Sequence, residues 1–199
     1  MAIKVSIVIA LYNQEKLVVR ALESIPVRDD IEVIVIDDKS TDNSWRVANE
    51  ICAKHPNWYV LHNEENLGAD LTINRGLDNM RGEYFLQLDC DDYLIPDALN
   101  KVIDMADMDL VWFTMQINNG DVWSPNTMKE ICDHGCLYKK TIIGDVRHPH
   151  RFHDGGWFFH RDIISKPHTE RYTNELVYMY NFPRKGSLMD LAHKRGIAK

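Results

Sequence analysis

Two short runs of almost uninterrupted aliphatic residues set the fold class of this chain. Val5 to Leu11 reads VSIVIAL and residues 31–36 read IEVIVI, and both runs are rich in β-branched side chains. Continuous hydrophobicity of this kind is typical of strands that are covered on both faces in a parallel sheet. Between them, apolar residues at helical spacing predict a helix that opens at Asn13 and Gln14 and stops at Pro26.

The alternation of strands and helices continues through the first 117 residues. An N-cap at 40–42 is followed by a predicted helix, a strand at 58–61, a helix at 68–80, a strand at 84–88, a helix at 94–105 and a strand at 110–116. This order predicts an α/β fold with a mostly parallel central sheet flanked by helices. For 199 residues we expect a single domain.

Polar side chains follow each of the first four predicted strands. Ligands of such sheets bind beyond the carboxyl ends of the strands, where these side chains would converge. The sequence therefore predicts a polar binding site at that edge of the sheet. Its members are Tyr12 and Asn13, Asp37 and Asp38, Asn63 and Asn66, and the acids between Asp89 and Asp92.

The fourth of these strands ends in three carboxylates within four residues, Asp89, Asp91 and Asp92. Close, buried carboxylates repel one another unless a cation lies between them. Oxygen ligands suit Mg²⁺ or Mn²⁺, which also bridge phosphate oxygens. The alternative reading is a solvated acidic turn that caps the helix beginning near Pro96, and the motif alone leaves both open.

The distribution of charge limits the partners that we expect. A net charge of −7 argues against binding of an extended nucleic acid along a basic face. Residues 183–199 carry five basic side chains and one acid, a charge of +4 that leaves −11 on the rest. This basic tail could contact an anionic membrane surface peripherally, close over phosphates, or remain a solvated end.

Other features predict a cytoplasmic protein. The basic tail also allows peripheral contact with the inner face of a membrane. No apolar run approaches the roughly 20 residues of a membrane span, and Met1 leads directly into a strand rather than a signal peptide. The four cysteines show no disulfide framework and are expected to be reduced. Cys132, His134 and Cys136 lack a second pair of ligands and make a weak zinc pattern.

From about Asn118 the pattern is less regular and rich in His, Trp, Gly and Tyr. We divide the domain into a first half at 1–117, a second half at 118–182 and the basic tail at 183–199. Gly155 and Gly156 predict a flexible loop that leads into a helix with a large aromatic surface around Trp157.

Several of these stretches resemble family 2 of the GT-A glycosyltransferases, inverting enzymes that use nucleotide-sugar donors. The resemblance covers nearly the whole chain, is strongest over residues 3–97, and implies the GT-A fold. The stretches that carry it are VSIVIALYN at 5–13, EVIVIDDKSTDNS at 32–44, NLG at 66–68 with NRG at 74–76, GEYFLQLDCDD at 82–92, and the segments at 153–159 and 178–188.

Three departures from the family pattern stand in this sequence. Ile73 replaces an arginine that often precedes the Asn of the second N-x-G, while Arg75 lies beyond that position. His153 stands for the glutamate of a Glu-Asp pair whose second member is Asp154. The chain is also short for the family.

The resemblance implies that the half at 1–117 binds the nucleotide-sugar donor, and it gives roles to residues there. Asp91 would bind Mn²⁺ or Mg²⁺ directly, and Asp89 would contact the ion or the hydroxyls of the donor. Asp92 would orient this loop or cap the next helix, and Cys90 would point into the core. Asp38 would accept a hydrogen bond from the base of the nucleotide. Asn13 could merely be a helix N-cap, and Asp70 is more readily a cap than a nucleotide contact. The full set of remaining candidates for donor binding is Leu11, Tyr12, Asn13, Asp38, Asn66 and Asp70.

The second half would supply the acceptor side of the reaction. Asp154, beside two glycines, is the candidate general base, and an ordinary surface acid is the alternative. His153 or His160 could be a third metal ligand, and a structural or solvent-exposed histidine is the alternative for each. Trp157 could stack on an acceptor sugar or pack in the core.

The implied function is transfer of a sugar from a nucleoside-diphosphate donor, UDP-sugar by default, to an acceptor hydroxyl of a glycan, lipid-linked glycan, protein or other molecule. A sugar nucleotidyltransferase is one alternative, although residues 11–15 lack the glycine-rich loop such enzymes use. A non-catalytic nucleotide-sugar-binding module is the other.

Overall fold

The chain folds around one sheet to which both halves of the sequence contribute. The structure, a computed structural model, describes residues 2–126, 129, 134–150 and 155–181. Its strands are β1 (Val5–Leu11), β2 (Ile31–Asp37), β3 (Trp58–His62), β4 (Tyr84–Gln87), β5 (Tyr93–Leu94), β6 (Leu110–Ile117), β7 (Val122–Trp123), β8 (Cys136–Lys139) and β9 (Glu170–Tyr180). The helices bounded within the described residues are α1 (Val18–Glu23), α2 (Ser44–Cys52), α3 (Ala69–Asn79), α4 (Pro96–Asp104), α5 (Lys140–Ile143) and α6 (Gly155–Ile164).

The strand order is β3-β2-β1-β4-β8-β6-β9-β5, with β7 added beside β6. The first four strands in this order are mutually parallel, and β6 is parallel to β9. Strand β8 is antiparallel to both β4 and β6, and β5 is antiparallel to β9. The expected α/β fold with a mostly parallel sheet is confirmed.

Register explains why the polar strand ends converge. Leu11 pairs with Asp37, Asp37 with His62, and Val8 with Gln87, so β1 to β4 end at one edge of the sheet. Every residue of β2 and β4 is buried, as their mostly apolar sequences predict. The hydrophobic effect therefore fixes the strands, and the polar residues that follow them are left at the rim.

Helix α3 approaches the sheet closely at Gly76. A Cβ at this position would overlap the side chain of Val8 and press on that of Ile36. The glycine of the second N-x-G stretch is thus needed for helix-to-sheet packing, and a larger side chain would force α3 away from β1 and β2.

The structure corrects the predicted start of two helices. Helix α1 begins at Val18 rather than at Asn13, because Asn13 has a φ of +51° and its side chain accepts a bond from the Thr41 backbone. Helix α2 begins at Ser44, whose N–H donates a hydrogen bond to the Asp42 carboxylate. Two loops brace each other here, a long-range interaction that local capping rules do not contain.

Gly155 and Gly156 form the first turn of α6 rather than a flexible loop. Cys52 and Cys90 are free thiols, as expected for reduced cysteines. Within the described ranges, no helix has both the length and the apolar character of a membrane span.

Candidate functional site

The acid loop, defined as residues 89–92, follows β4 at the carboxyl edge of the sheet. Ligand oxygens of Asp89, Asp91 and Asp92 lie within 4.8 Å of one another. Asp89 and Asp91 are partly exposed, whereas Asp92 is 1% exposed. An all-oxygen set with two accessible carboxylates fits Mg²⁺ or Mn²⁺.

Asp92 holds the acid loop against the end of β9. One carboxylate oxygen accepts a bond from the Tyr178 hydroxyl at 2.7 Å, and the other accepts one from the Asn181 N–H at 2.7 Å. Burial, reinforced by the charges of Asp89 and Asp91, raises the pKa of Asp92 well above its usual value. Asp92 does not cap α4, whose N-cap Ile95 receives no side-chain bond, so its role in the site is to orient the loop.

Asp89 is held from two sides by residues that the sequence analysis did not connect with it. The Gln87 amide donates to one carboxylate oxygen at 3.1 Å, and the His134 Nε2 lies 3.2 Å from the other. The backbone N–H of Asp89 donates to the Tyr178 hydroxyl at 3.1 Å. His134 belongs to the stretch that carries the weak zinc pattern, and its relation to Asp89 arises from sheet topology that spacing along the chain does not reveal.

Two further contacts hold the acid loop against the rest of the first half. The Arg20 guanidinium donates to the carbonyl of Asp91 at 2.6 Å and lies 4.6 Å from the centre of the Tyr93 ring. Cys90 packs against the core, as predicted, and burial first, then the neighbouring carboxylates, raise the pKa of its thiol. The loop backbone is therefore anchored while Asp89 and Asp91 still reach solvent.

The ends of β1 and β2 form the neighbouring wall of the site. Leu11 is fully buried and its carbonyl accepts a bond from the Asp38 N–H, whereas the Tyr12 side chain is 46% exposed. Asp37 is a structural carboxylate, because its Oδ2 accepts a bond from the Ser40 N–H and lies 2.9 Å from His62 Nδ1.

Asp38 organises the loop between β3 and α3. Its buried carboxylate accepts bonds at 2.8 Å from the Asn63 amide and from the N–H groups of Leu67 and Gly68. Asn66 donates to the Asp38 carbonyl at 3.0 Å. The residue after β2 thus shapes the 66–68 loop. A ligand could bond only to those lone pairs of the Asp38 carboxylate that these three bonds do not use.

Asp70 is not the cap of α3. The N-cap is Gly68, without a side-chain bond, and the Asp70 carboxylate instead lies so close to Gly155 that a Cβ there would collide with it. His148 Nδ1 is 3.8 Å from the same carboxylate, and the His148 ring stacks on Phe159 at 4.2 Å. Asp70 therefore joins the first turns of α3 and α6, where a negative charge is favourable.

Trp157 lies on α6 and is 39% exposed. It borders a groove of about 510 Å³ whose other described lining residues are Asn126, Lys129, His160, Arg161, Ile164 and Tyr172. The Arg161 guanidinium lies 5.1 Å from the Trp157 ring, and Tyr172 is 42% exposed. The aromatic surface predicted around Trp157 is thus partly accessible rather than wholly core.

The expectation that His160 could bind the metal is wrong. Both ring nitrogens are engaged at 2.8 Å, Nδ1 with the Tyr138 hydroxyl and Nε2 with the Lys129 carbonyl, and the side chain is buried. His153 and Asp154 lie outside the described residues, as do Cys132 and the basic tail at 183–199.

Comparison with known proteins gives this geometry a family context. Residues 6–166 match the family model described as Glycosyl transferase family 2. Among curated proteins, the chain is 39% identical over 108 residues to the chondroitin synthase of Escherichia coli, a match that covers 53% of this chain and 16% of that protein. It is 38% identical over 101 residues to the poly(ribitol-phosphate) beta-glucosyltransferase of Bacillus spizizenii, covering 48% of this chain and 16% of the relative. The chain therefore spans only a small part of these relatives.

Solved structures share the fold at low sequence identity. TarS 1-349 of S. aureus, in complex with UDP-GlcNAc, has a TM-score of 0.80 at 21% identity and covers 94% of this chain and 61% of that one. The mannosyltransferase PcManGT of Pyrobaculum calidifontis, in complex with GDP-Man and Mn²⁺, has a TM-score of 0.74 at 20% identity, covering 92% and 58%.

Proposed function

This chain belongs to glycosyl transferase family 2, and from that premise we propose that it transfers a sugar from a nucleoside-diphosphate donor to an acceptor hydroxyl. The observation that carries the proposal is the acid loop at the carboxyl edge of the sheet, with Asp89 and Asp91 accessible and braced by groups from both halves of the chain. Solved proteins of this fold in complex with UDP-GlcNAc, or with GDP-Man and Mn²⁺, support a nucleotide sugar as the donor class.

In this proposal the donor nucleotide lies along the ends of β1 to β3. The exposed ring of Tyr12 supplies a packing surface, while Leu11 and Asn13 hold the backbone around it. Asp38 shapes the base pocket through the 66–68 loop and offers its remaining lone pair to a base N–H. UDP is the default nucleotide, and Asn66 and Asp70 line the far side of this pocket.

A divalent ion would be held by Asp91 with Asp89, whose carboxylates are the accessible members of the acid loop. When bound, such an ion neutralises the diphosphate that leaves with the nucleotide. The contribution of the protein is to fix these two carboxylates, through Arg20 on the backbone of Asp91 and through Gln87 and His134 on Asp89. His153 remains a candidate for a further ligand.

Asp154 is proposed as the general base. It directly precedes Gly155, the first residue of α6, which lies against Asp70 at the carboxyl edge of the sheet. In the reaction, the acceptor oxygen bonds to the anomeric carbon from the face opposite the nucleotide, the bond to the diphosphate breaks, and the hydroxyl proton passes to Asp154. One displacement of this kind inverts the anomeric configuration.

The acceptor is proposed to approach along α6. Trp157 is in the first turn of this helix, two residues beyond Gly155, and its partly exposed ring borders the groove that also contains Tyr172. Aromatic faces offer apolar contact area to sugar rings, and Asn126 adds a polar lining.

A thermal-shift panel of UDP-, GDP-, CDP- and dTDP-sugars with and without Mn²⁺ tests the proposal. One donor should stabilise the protein in a Mn²⁺-dependent way, by about 2.7 kcal/mol when its concentration is 100 times its dissociation constant. Slow hydrolysis of that donor should follow on longer incubation. Stabilisation without any hydrolysis or transfer would instead favour the binding module, and stabilisation by nucleoside triphosphates with sugar phosphates would favour a nucleotidyltransferase.

A further inference from the structure

We infer that His134 is a positioning residue for the donor site, acting through the carboxylate of Asp89. The inference rests on the proposed function, because it concerns how tightly the acid loop takes up a divalent ion with a nucleoside diphosphate. The carrying observation is the 3.2 Å separation between His134 Nε2 and Asp89 Oδ2. His134 lies just before β8, in the part of the chain whose sequence pattern is less regular.

The Asp89 carboxylate is clamped at both oxygens. Gln87 donates its amide to Oδ1 at 3.1 Å, and His134 lies at Oδ2. The Gln87 and His134 nitrogens approach each other to 3.3 Å, so the two groups form one rim around the carboxylate. Asp89 nevertheless keeps 38% of its side chain exposed.

His134 is itself well held. Its ring stacks on Tyr180 with centroids 5.9 Å apart and planes at 26°, and it meets the edge of Tyr178 at 5.6 Å. Only 14% of its side chain is exposed. Since Tyr178 also bonds the backbone of Asp89, the end of β9 and His134 act on the same residue from one side.

Geometry favours an indirect role over metal ligation. Among the described residues, the one group of at least three potential ligands whose atoms all lie within 4.8 Å of one another is Asp89, Asp91 and Asp92; His134 approaches Asp89 but does not belong to this group. The contact of His134 is thus with the Asp89 carboxylate rather than with the group as a whole. Outer-shell partners of this kind commonly change metal affinity about 10- to 100-fold when they are removed.

Two substitutions separate the hydrogen bond from the packing. His134→Phe keeps an aromatic ring between Tyr178 and Tyr180 but removes the donor, whereas His134→Gln keeps an N–H of similar reach. His55→Phe is the matched control, because His55 also packs on an aromatic ring, that of Trp58 at 4.1 Å, before the start of β3. Binding of Mn²⁺ to each protein is measured by electron paramagnetic resonance in the presence of UDP, GDP, CDP or dTDP.

We expect His134→Phe to weaken Mn²⁺ uptake about 10- to 100-fold with the preferred nucleotide. His134→Gln should stay within a few-fold of the unmodified protein, and His55→Phe should match it. In an Asp89→Asn background, His134→Phe should add little, because its action passes through that carboxylate.

Equal Mn²⁺ affinity in the unmodified protein and His134→Phe would overturn the inference while leaving the proposed function intact. Additive losses in the double variant would also overturn it, as would a loss in His134→Gln as large as in His134→Phe. If the unmodified protein takes up no Mn²⁺ with any of the four nucleotides, the proposed function fails and this inference fails with it.

Discussion

The hydroxyl of Tyr178 donates a 2.7 Å hydrogen bond to the buried carboxylate of Asp92, joining positions 86 residues apart in the chain. The same hydroxyl accepts the backbone N–H of Asp89. One phenol near the end of β9 thus fixes both ends of the acid loop. The second half of the sequence therefore takes part in holding the acid loop in place.

Replacement of Tyr178 by Phe tests the importance of this hydroxyl for the fold. It would leave a buried Asp92 oxygen without its donor, which should lower the free energy of unfolding by about 1–3 kcal/mol in urea denaturation. Tyr59→Phe is the control, since the Tyr59 hydroxyl makes only a 3.5 Å contact with the Asn79 carbonyl. A loss in Tyr178→Phe no larger than that of the control would contradict the assigned role.

The contact between Asp70 and Gly155 is open to a double-mutant cycle. Gly155→Ala should destabilise the protein by about 1–3 kcal/mol, because the new Cβ meets the Asp70 carboxylate. Asp70→Ala in the same background removes that collision and should recover most of the loss. Failure of the second substitution to recover stability would show that something other than Asp70 excludes a side chain at 155.

The ion pair between Glu170 and Lys129, a residue that lines the same groove as Trp157, predicts a pH dependence of stability. Burial alone would raise the pKa of Glu170, but hydrogen bonds from Lys129 and Tyr172 outweigh it and lower the pKa to about 2. A folded pKa below the unfolded value means that Glu170 stabilises the fold above about pH 4.5 and loses this contribution as the pH falls toward 2.

Glu170→Gln should therefore flatten the dependence of unfolding free energy on pH in that window, as followed by urea titrations between pH 2.5 and 6. Glu175→Gln, in the more exposed pair with Lys101, serves as the comparison and should keep most of the slope. An unchanged slope in Glu170→Gln would show that other carboxylates dominate acid unfolding.

Catalysis and donor binding should separate between Asp154 and Asp91. Asp154→Asn should retain Mn²⁺-dependent nucleotide affinity but lose turnover about 10²- to 10⁴-fold, because a general base acts only in the chemical step. Asp91→Asn should lose the affinity itself. Turnover of Asp154→Asn at the unmodified rate, measured as release of nucleoside diphosphate, would remove Asp154 from the mechanism.

The sheet could be predicted from sequence because its determinants are local. Residues 5–11 and 31–36 are aliphatic except for Ser6 and Glu32, and the structure buries them as β1 and β2 with parallel pairing from Val5–Ile31 to Leu11–Asp37. The convergence of polar strand ends follows from that topology. Helix starts were less predictable, because Asn13 and Thr41 satisfy each other across two loops.

The parts of the site that sequence reasoning missed depend on contacts over long separations. His134 reaches Asp89 because β8, which starts just after it at Cys136, lies beside β4 in the sheet. Asp70 lies in the first turn of α3, where the sequence suggests a cap, yet its carboxylate contacts a second helix that starts 85 residues later. His160 has the chemistry of a metal ligand, but both of its nitrogens are satisfied in the interior.

The central claim is that Asp91, together with Asp89, binds a divalent ion shared with the diphosphate of the donor. Crystals grown with Mn²⁺ and the preferred nucleoside diphosphate, measured at the manganese absorption edge, test it most directly. The account predicts one anomalous peak in contact with an Asp91 oxygen and with phosphate oxygens, and no such peak in Asp91→Asn crystals. Nucleotide bound at the ends of β1 to β3 without manganese at Asp91, or manganese retained in Asp91→Asn, would contradict it.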